Sequence, residues 1–151
     1  MKRSSVAHLN CSIARTVEVV GEWWSLMIIR DVFLGLRRFD DIRDDLGISR
    51  NVLSDRLSTL VAHGVLEKVR YSEHPERFEY RLTEKGIDLQ PVLVALMRWG
   101  DKWESPDGPP LVLEHKGCGH DAAPGLACTH CGELIGPRDV RTHAGPGWRA
   151  D

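Results

Sequence analysis

FDDIRDDLGISRNVLSDRLSTLVAHG, residues 39–64, decides how this chain is read. Phe39, Ile42 and Leu46 recur at the spacing of one face of a short amphipathic helix. Gly47 follows, a residue that enters the left-handed conformation of a tight turn at little cost. Ser49 then stands where a helix N-cap belongs. The second helix is predicted to run to about His63, with Gly64 as its C-terminal stop. Val52, Leu53, Leu57, Leu60 and Val61 form one apolar stripe along it, and Asn51, Ser54, Asp55 and Ser58 lie opposite. A short helix joined through a glycine turn to a second amphipathic helix is the helix-turn-helix pattern.

The flanking sequence supplies a frame for this pair. Residues 12–20, SIARTVEVV, place Ile13, Val17 and Val20 on one helical side, and Gly21 ends that helix. Residues 22–34, EWWSLMIIRDVFL, are apolar nearly all round and predict a helix at the centre of a core, stopped by Gly35. Downstream, VLEKVRY (65–71) and RFEYRL (77–82) alternate apolar and polar residues around the turn-like SEHPE, which predicts a β-hairpin. Thr83 caps a last helix that ends near Trp103, and Pro91 either kinks or restarts it. Leu89, Val92, Leu93, Leu96, Trp99 and Trp103 give that helix a broad apolar face. The expected fold is mainly α (α+β): a winged helix-turn-helix with a two-stranded hairpin wing and extra N- and C-terminal helices. SPDGPP after Trp103 is a linker signature, so the expected division is 1–103 and a tail, 104–151, rich in Gly, Pro, Cys and His.

Bulk properties limit the alternatives. The 151 residues are 42% hydrophobic and 28% charged, ordinary for a globular chain. No apolar run approaches the ~18 residues of a membrane span. MKRSSVAHLN has no apolar segment behind its basic residues, so no signal peptide is read and a cytoplasmic location is expected. The net charge of −2 hides an uneven distribution: 16 Lys and Arg against 15 Asp and Glu in residues 1–103, but 4 against 7 in 104–151. Basic residues cluster at Arg37, Arg38 and Arg43, at Arg50 and Arg56, and at Arg70, Arg77 and Arg81. A local basic face is a more informative sign of a nucleic-acid partner than the total charge.

A helix that enters the major groove needs one face packed on its own domain and another offering groups that reach base edges. Residues 49–60 meet both demands. Arg50 and Asn51 fall in the first turn; Arg pairs bidentately with guanine and Asn with adenine. Ser54 and Ser58 follow on the same side, and the helix start at Ser49 offers free N–H groups to a phosphate. Asp55 either accepts from cytosine N4 or pairs with an arginine. Arg56, at the flank of the apolar stripe, contacts phosphate or makes an ion pair with the wing or the short helix. His74 and Arg77 lie near the hairpin tip, within reach of a minor groove or phosphate, and Arg37 and Arg38 face the backbone from the other side. The alternative is a winged-helix protein-interaction module that does not bind DNA. An enzyme is not expected, because the Cys128-x-x-Cys131 pair explains its cysteines better than a hydrolytic group with His130 and Asp121 does.

These pieces together resemble the HxlR-type winged-helix regulators, relatives of the MarR group. The resemblance covers about residues 11–100. It rests on Cys11 and on VEVVGEWWSLMIIRDVFLGLRRFDDI (17–42), ISRNVLSDRLSTLVAHGVLEKV (48–69) and RFEYRLTEKGIDLQPVLVALMRWG (77–100). It implies a transcriptional regulator, expected to be a repressor, dimerising through its first and last helices on double-stranded DNA with a pseudo-palindromic operator. It also implies a role for Cys11 in sensing an oxidant or electrophile, against the alternative of an inert packed thiol, and leaves room for a small-molecule effector.

Residues 115–132, HKGCGHDAAPGLACTHCG, contain two similar corners, His115-x-x-Cys118-Gly and Cys128-x-x-Cys131-Gly. Zinc takes four N or S ligands in a tetrahedron, and two such knuckles supply them. Structural zinc on His115, Cys118, Cys128 and Cys131 is therefore the expected cofactor. His120 and His130 are alternative ligands, and a metal-free knuckle or a Cys128–Cys131 disulfide are the competing readings.

Overall fold

The computed structural model describes residues 5–122 and 124–148. Its order is α1 (Ser12–Val20), α2 (Trp23–Phe33), α3 (Phe39–Leu46), α4 (Arg50–Ala62), β1 (Leu66–Glu73), β2 (Glu76–Leu82), α5 (Glu84–Ile87), α6 (Gln90–Trp103), β3 (Glu114–His115) and β4 (His120–Asp121). Packing divides the chain into Met1–Leu93 and Val94–Asp151. That division falls inside α6, ahead of the compositional boundary at Trp103.

The first unit is built around α2, which packs against α1, α3, α4 and β2. Ile28, Ile29 and Val32 of α2 meet Ile42 of α3, Ile48 of the turn, Leu53, Leu57 and Leu60 of α4, and Val65 and Leu66 at the start of the hairpin. Each such side chain contributes about 1.5–3 kcal/mol on burial. The turn between α3 and α4 depends on Gly47, at φ +63°, where a side chain would strain the backbone. Ser49 caps α4 by accepting from the Val52 N–H at 3.3 Å, a contact worth about 1 kcal/mol.

Several expectations are modified. α2 is not apolar on every buried side: Trp23 is 74% exposed, whereas Ser25 and Asp31 are fully buried. Arg30 donates to Asp31 at 2.9 Å and to Asp45 at 2.8 Å, tying α2 to α3. Burial is the stronger influence on Asp31 and raises its carboxyl above the usual range, while Arg30 pulls the other way. Val52, placed on the apolar stripe by its period, is 38% exposed, because the stripe is narrower than the sequence suggested.

The hairpin strands extend into SEHPE and leave only His74 and Pro75 as the turn. Pairing runs from Leu66↔Leu82 to Glu73↔Glu76, with a register shift between Arg70 and Ser72 that leaves Tyr71 in a bulge. Arg38 bridges Glu79, so the segment before α3 adds a short third edge to the wing. Thr83 does cap α5, accepting from the Gly86 N–H at 3.1 Å, and the helix restarts as α6 with Pro91 in its first turn. In the second unit, β3 and β4 pair antiparallel and Ala127 bridges Leu134.

The contrast along α4 is testable. Leu57→Ala, at a residue 1% exposed, should cost about 2–5 kcal/mol in urea denaturation. Val52→Ala should cost less than about 1 kcal/mol, and equal losses would contradict this packing.

Candidate nucleic-acid interface

α4 is held by its leucine face, which leaves Arg50, Asn51, Ser54, Asp55 and Ser58 exposed along one side. The first-turn N–H groups of a helix have no intrahelical acceptor, so the start of α4 also presents a donor-rich, positive end. Arg50, Asn51, Ser54 and the Phe39 ring line an open depression there.

Three of these side chains, Arg50, Asp55 and Ser58, arrive with partners of their own. Arg50 donates to Asp40 of α3 at 3.0 Å and lies 5.4 Å from the centre of the Phe39 ring. Both ends of that ion pair are exposed, so it is worth at most about 1 kcal/mol. Ser58 donates to the Ser54 carbonyl at 2.8 Å, which leaves its oxygen free to accept. Asp55 pairs with Arg56. The ion pair foreseen for Arg56 therefore forms with the neighbouring residue of α4, and involves neither the wing nor the short helix. The same contact holds Asp55 in the arginine-paired alternative.

A second set of cations flanks the helix. The Arg37 carbonyl accepts from the Tyr80 N–H at 2.7 Å, which joins residues 37–38 to the wing. The Arg38 guanidinium lies 4.9 Å from the centre of the bulged Tyr71 ring, a cation–π contact of about 0.5–1 kcal/mol at an exposed site. Arg77 pairs in register with Ser72, next to the exposed His74 turn. Among the described residues, Arg37, Arg38 and Arg77 form no ion pair. Tyr71 and Asp40 were not singled out from the sequence. The acidic start of α3, Asp40-Asp41, was a visible charge complement to Arg50, but no period links residues in different helices.

Cys11 is exposed at the N-cap of α1 and makes no side-chain cap there. In the tail, His115 Nδ1 lies 3.3 Å from Cys118 Sγ. Gly119 (φ +71°) and Gly132 (φ +78°) close the two corners, donating to His115 and to Cys128 carbonyl oxygens, each at 2.8 Å. The backbone amides of Cys131 and His130 hold the Cys128 thiol below its usual value, with the Cys131 side chain adding to this. Each corner thus brings its own pair together. Among the described residues, no three His, Cys, Asp or Glu side chains converge as a metal set. His120 Nδ1 is engaged by the Cys118 carbonyl at 2.9 Å.

A helix presenting polar groups outward, flanked by a β-hairpin wing that carries the unpaired Arg77, defines a winged helix-turn-helix DNA-binding protein. The HxlR-like helix-turn-helix family matches residues 19–108, and the chain belongs to that family. It is 51% identical over 140 residues to the uncharacterized HTH-type transcriptional regulator Rv3095 of Mycobacterium tuberculosis (strain ATCC 25618 / H37Rv), covering 92% of this chain and 89% of that protein. Among solved structures it is similar to the protein PA1607 (TM-score 0.82, 35% identity, 94% of this chain and 100% of that one). It is also similar to the oxidised redox regulator HypR (TM-score 0.57, 29% identity, 61% and 96%). The protein is a DNA-binding transcriptional regulator, and its relatives are regulators rather than enzymes. No helix among the described residues is long and apolar enough to cross a membrane.

Arg77 stands on β2 of the wing, apart from the exposed first turn of α4. Arg77→Ala should weaken binding about equally on all DNA sequences and lower the slope of log affinity against log salt by about one. A loss confined to one sequence in salt titrations would instead assign Arg77 to base readout.

Proposed function

We propose that the protein acts as a homodimer that represses transcription by seating two α4 helices on a pseudo-palindromic operator. The observation that carries this is the outward side of α4, where Arg50 and Asn51 stand at the helix start with Ser54 and Ser58 behind them. Arg50 would pair with a guanine, Asn51 with an adenine, and the amides following Ser49 with a phosphate. Arg37, Arg38, His74 and Arg77 would grip the flanking backbone. Asp55, with Arg56 beside it, would accept from cytosine only after exchanging that partner.

Two exposed apolar seams support a dimer. Ile13 (75% exposed) and Val17 lie on α1, and Val92, Leu96, Trp99 (58% exposed) and Trp103 recur on one face of α6. Apolar surface of this kind marks an interaction site more often than a free face. A two-fold dimer would place its half-sites about 34–36 Å apart, one turn of DNA, and would occlude the promoter beneath it. Cys11, exposed at a helix start, is the thiol we assign to an electrophile or oxidant signal; HypR, a relative in fold, is named a redox regulator.

Structural zinc remains our reading of the tail. Its support is the matching pair of glycine-closed corners and a donor set of one histidine and three cysteines. The ion would have to draw the two pairs into one tetrahedron.

Footprinting of the purified protein on genomic DNA tests the main reading. It should protect a site with two-fold symmetry, and sedimentation should give a dimer. Arg50→Ala or Asn51→Ala should weaken binding to that site by about 1–3 kcal/mol without changing the dimer. Unchanged affinity would contradict the docking of α4. Elemental analysis should find one zinc per chain, lost on Cys128→Ser; metal-free protein would leave the corners as free thiols.

A further inference from the structure

A cavity of about 290 Å³ opens beside the base of the wing, in the Met1–Leu93 unit. Its floor is apolar: Val19 and Val20 of α1, Val65 at the end of the α4 turn, and Leu89 ahead of α6. Val20 and Val65 belong to the buried core, and Val19 and Leu89 pack against it. Two cations stand at the mouth, Arg15 of α1 and Lys85 of α5. Both are exposed, and neither forms an ion pair among the described residues. Thr16, also at the rim, spends its hydroxyl proton on the Ser12 carbonyl, so its oxygen can only accept.

Size and charge together select a ligand class. The volume sits at the lower limit of small-molecule sites, and about 150 Å³ already holds benzene. An apolar floor favours a compact hydrocarbon body. Two cations with neutral partners favour one anionic group at the mouth.

We propose that this cavity binds a small aryl carboxylate, its ring on Val19, Val65 and Leu89 and its carboxylate between Arg15 and Lys85. The proposal deepens the regulator reading by supplying its effector and rests on that reading for its consequence. Lys85 donates to the His63 carbonyl at 2.7 Å, and His63 is the C-cap of α4. Val65 on the floor donates to the Leu60 carbonyl at 2.9 Å, and Thr83, two residues before Lys85, donates to that of Gly64 at 2.6 Å. A carboxylate that takes the Lys85 ammonium removes a cationic donor from the end of the DNA-reading helix. Occupancy therefore loosens the C-terminus of α4 and lowers operator affinity.

The test uses the full chain, ¹⁵N-labelled, without DNA. It is titrated with sodium benzoate, benzamide and sodium acetate at constant ionic strength. Benzoate should shift the amides of Val19, Val65, Leu89 and His63 saturably. Benzamide, lacking the charge, and acetate, lacking the ring, should each bind at least about tenfold more weakly. Arg15→Met and Lys85→Met, both at exposed positions, should each lower benzoate affinity about tenfold while the spectrum stays dispersed. Equal responses to benzoate and benzamide, or no shift at these amides, would overturn the site. On the footprinted operator, benzoate should weaken binding of the native chain and leave Lys85→Met unaffected; unchanged affinity of the native chain would remove the coupling. Benzoate binding by a chain that ignores DNA would refute the operator reading alone, and operator binding without benzoate binding would refute this one alone.

Discussion

The burial of Leu53, Leu57 and Leu60 against α2 sets the rotation of α4 about its own axis. At a 3.6-residue period, three leucines committed to one side leave no choice for the rest. Arg50, Asn51, Ser54 and Ser58 face outward because turning them inward would expose the leucines and bury unpaired polar groups, at several kcal/mol each way. The polar outer surface of α4 is thus a by-product of core packing. Gly47 and the Ser49 cap decide where the helix starts, and so which residues occupy its donor-rich first turn.

The electrostatics follow a similar economy. Most arginines of the first unit are held by a neighbour: Arg30 by Asp31 and Asp45, Arg43 by Asp40 and Asp44, Arg81 by Glu79. Surface pairs of this sort add little stability, but they lower the positive charge that is free to attract any polyanion. Among the described residues of that unit, what is left uncompensated lies mainly at the wing and the segment before α3, with Arg15 and Lys85 the exceptions. The bulge at Tyr71 matters here, since it gives Arg38 an aromatic surface to rest on without neutralising it.

The helices and the wing were legible in the sequence because local signals report them. Glycines at Gly21, Gly35, Gly47 and Gly64 punctuate four helices, and Ser49 and Thr83 mark two starts. Contacts between distant segments were not legible. No periodicity announces that Arg38 bridges Glu79, that Asp40 holds Arg50, or that a bulge falls at Tyr71. Asp31 was hidden for a related reason. A charged residue inside an apolar run reads as an interruption, and only the fold shows Arg30 folded back to meet it. In the tail, each corner was visible as a four-residue pattern, whereas the distance between corners depends on a chain path that carries no period.

The Arg50–Asp40 pair has a further consequence for recognition. Held against Asp40, a carboxylate it shares with Arg43, the Arg50 guanidinium has part of its charge offset and adds less to long-range attraction than a free cation would. On the docking proposed above, a guanine would have to outcompete Asp40 for the same donors. A wrong base could not offer the paired acceptors needed, and Arg50 would return to α3. The internal carboxylate would then serve as a reference ligand against which each candidate base is judged.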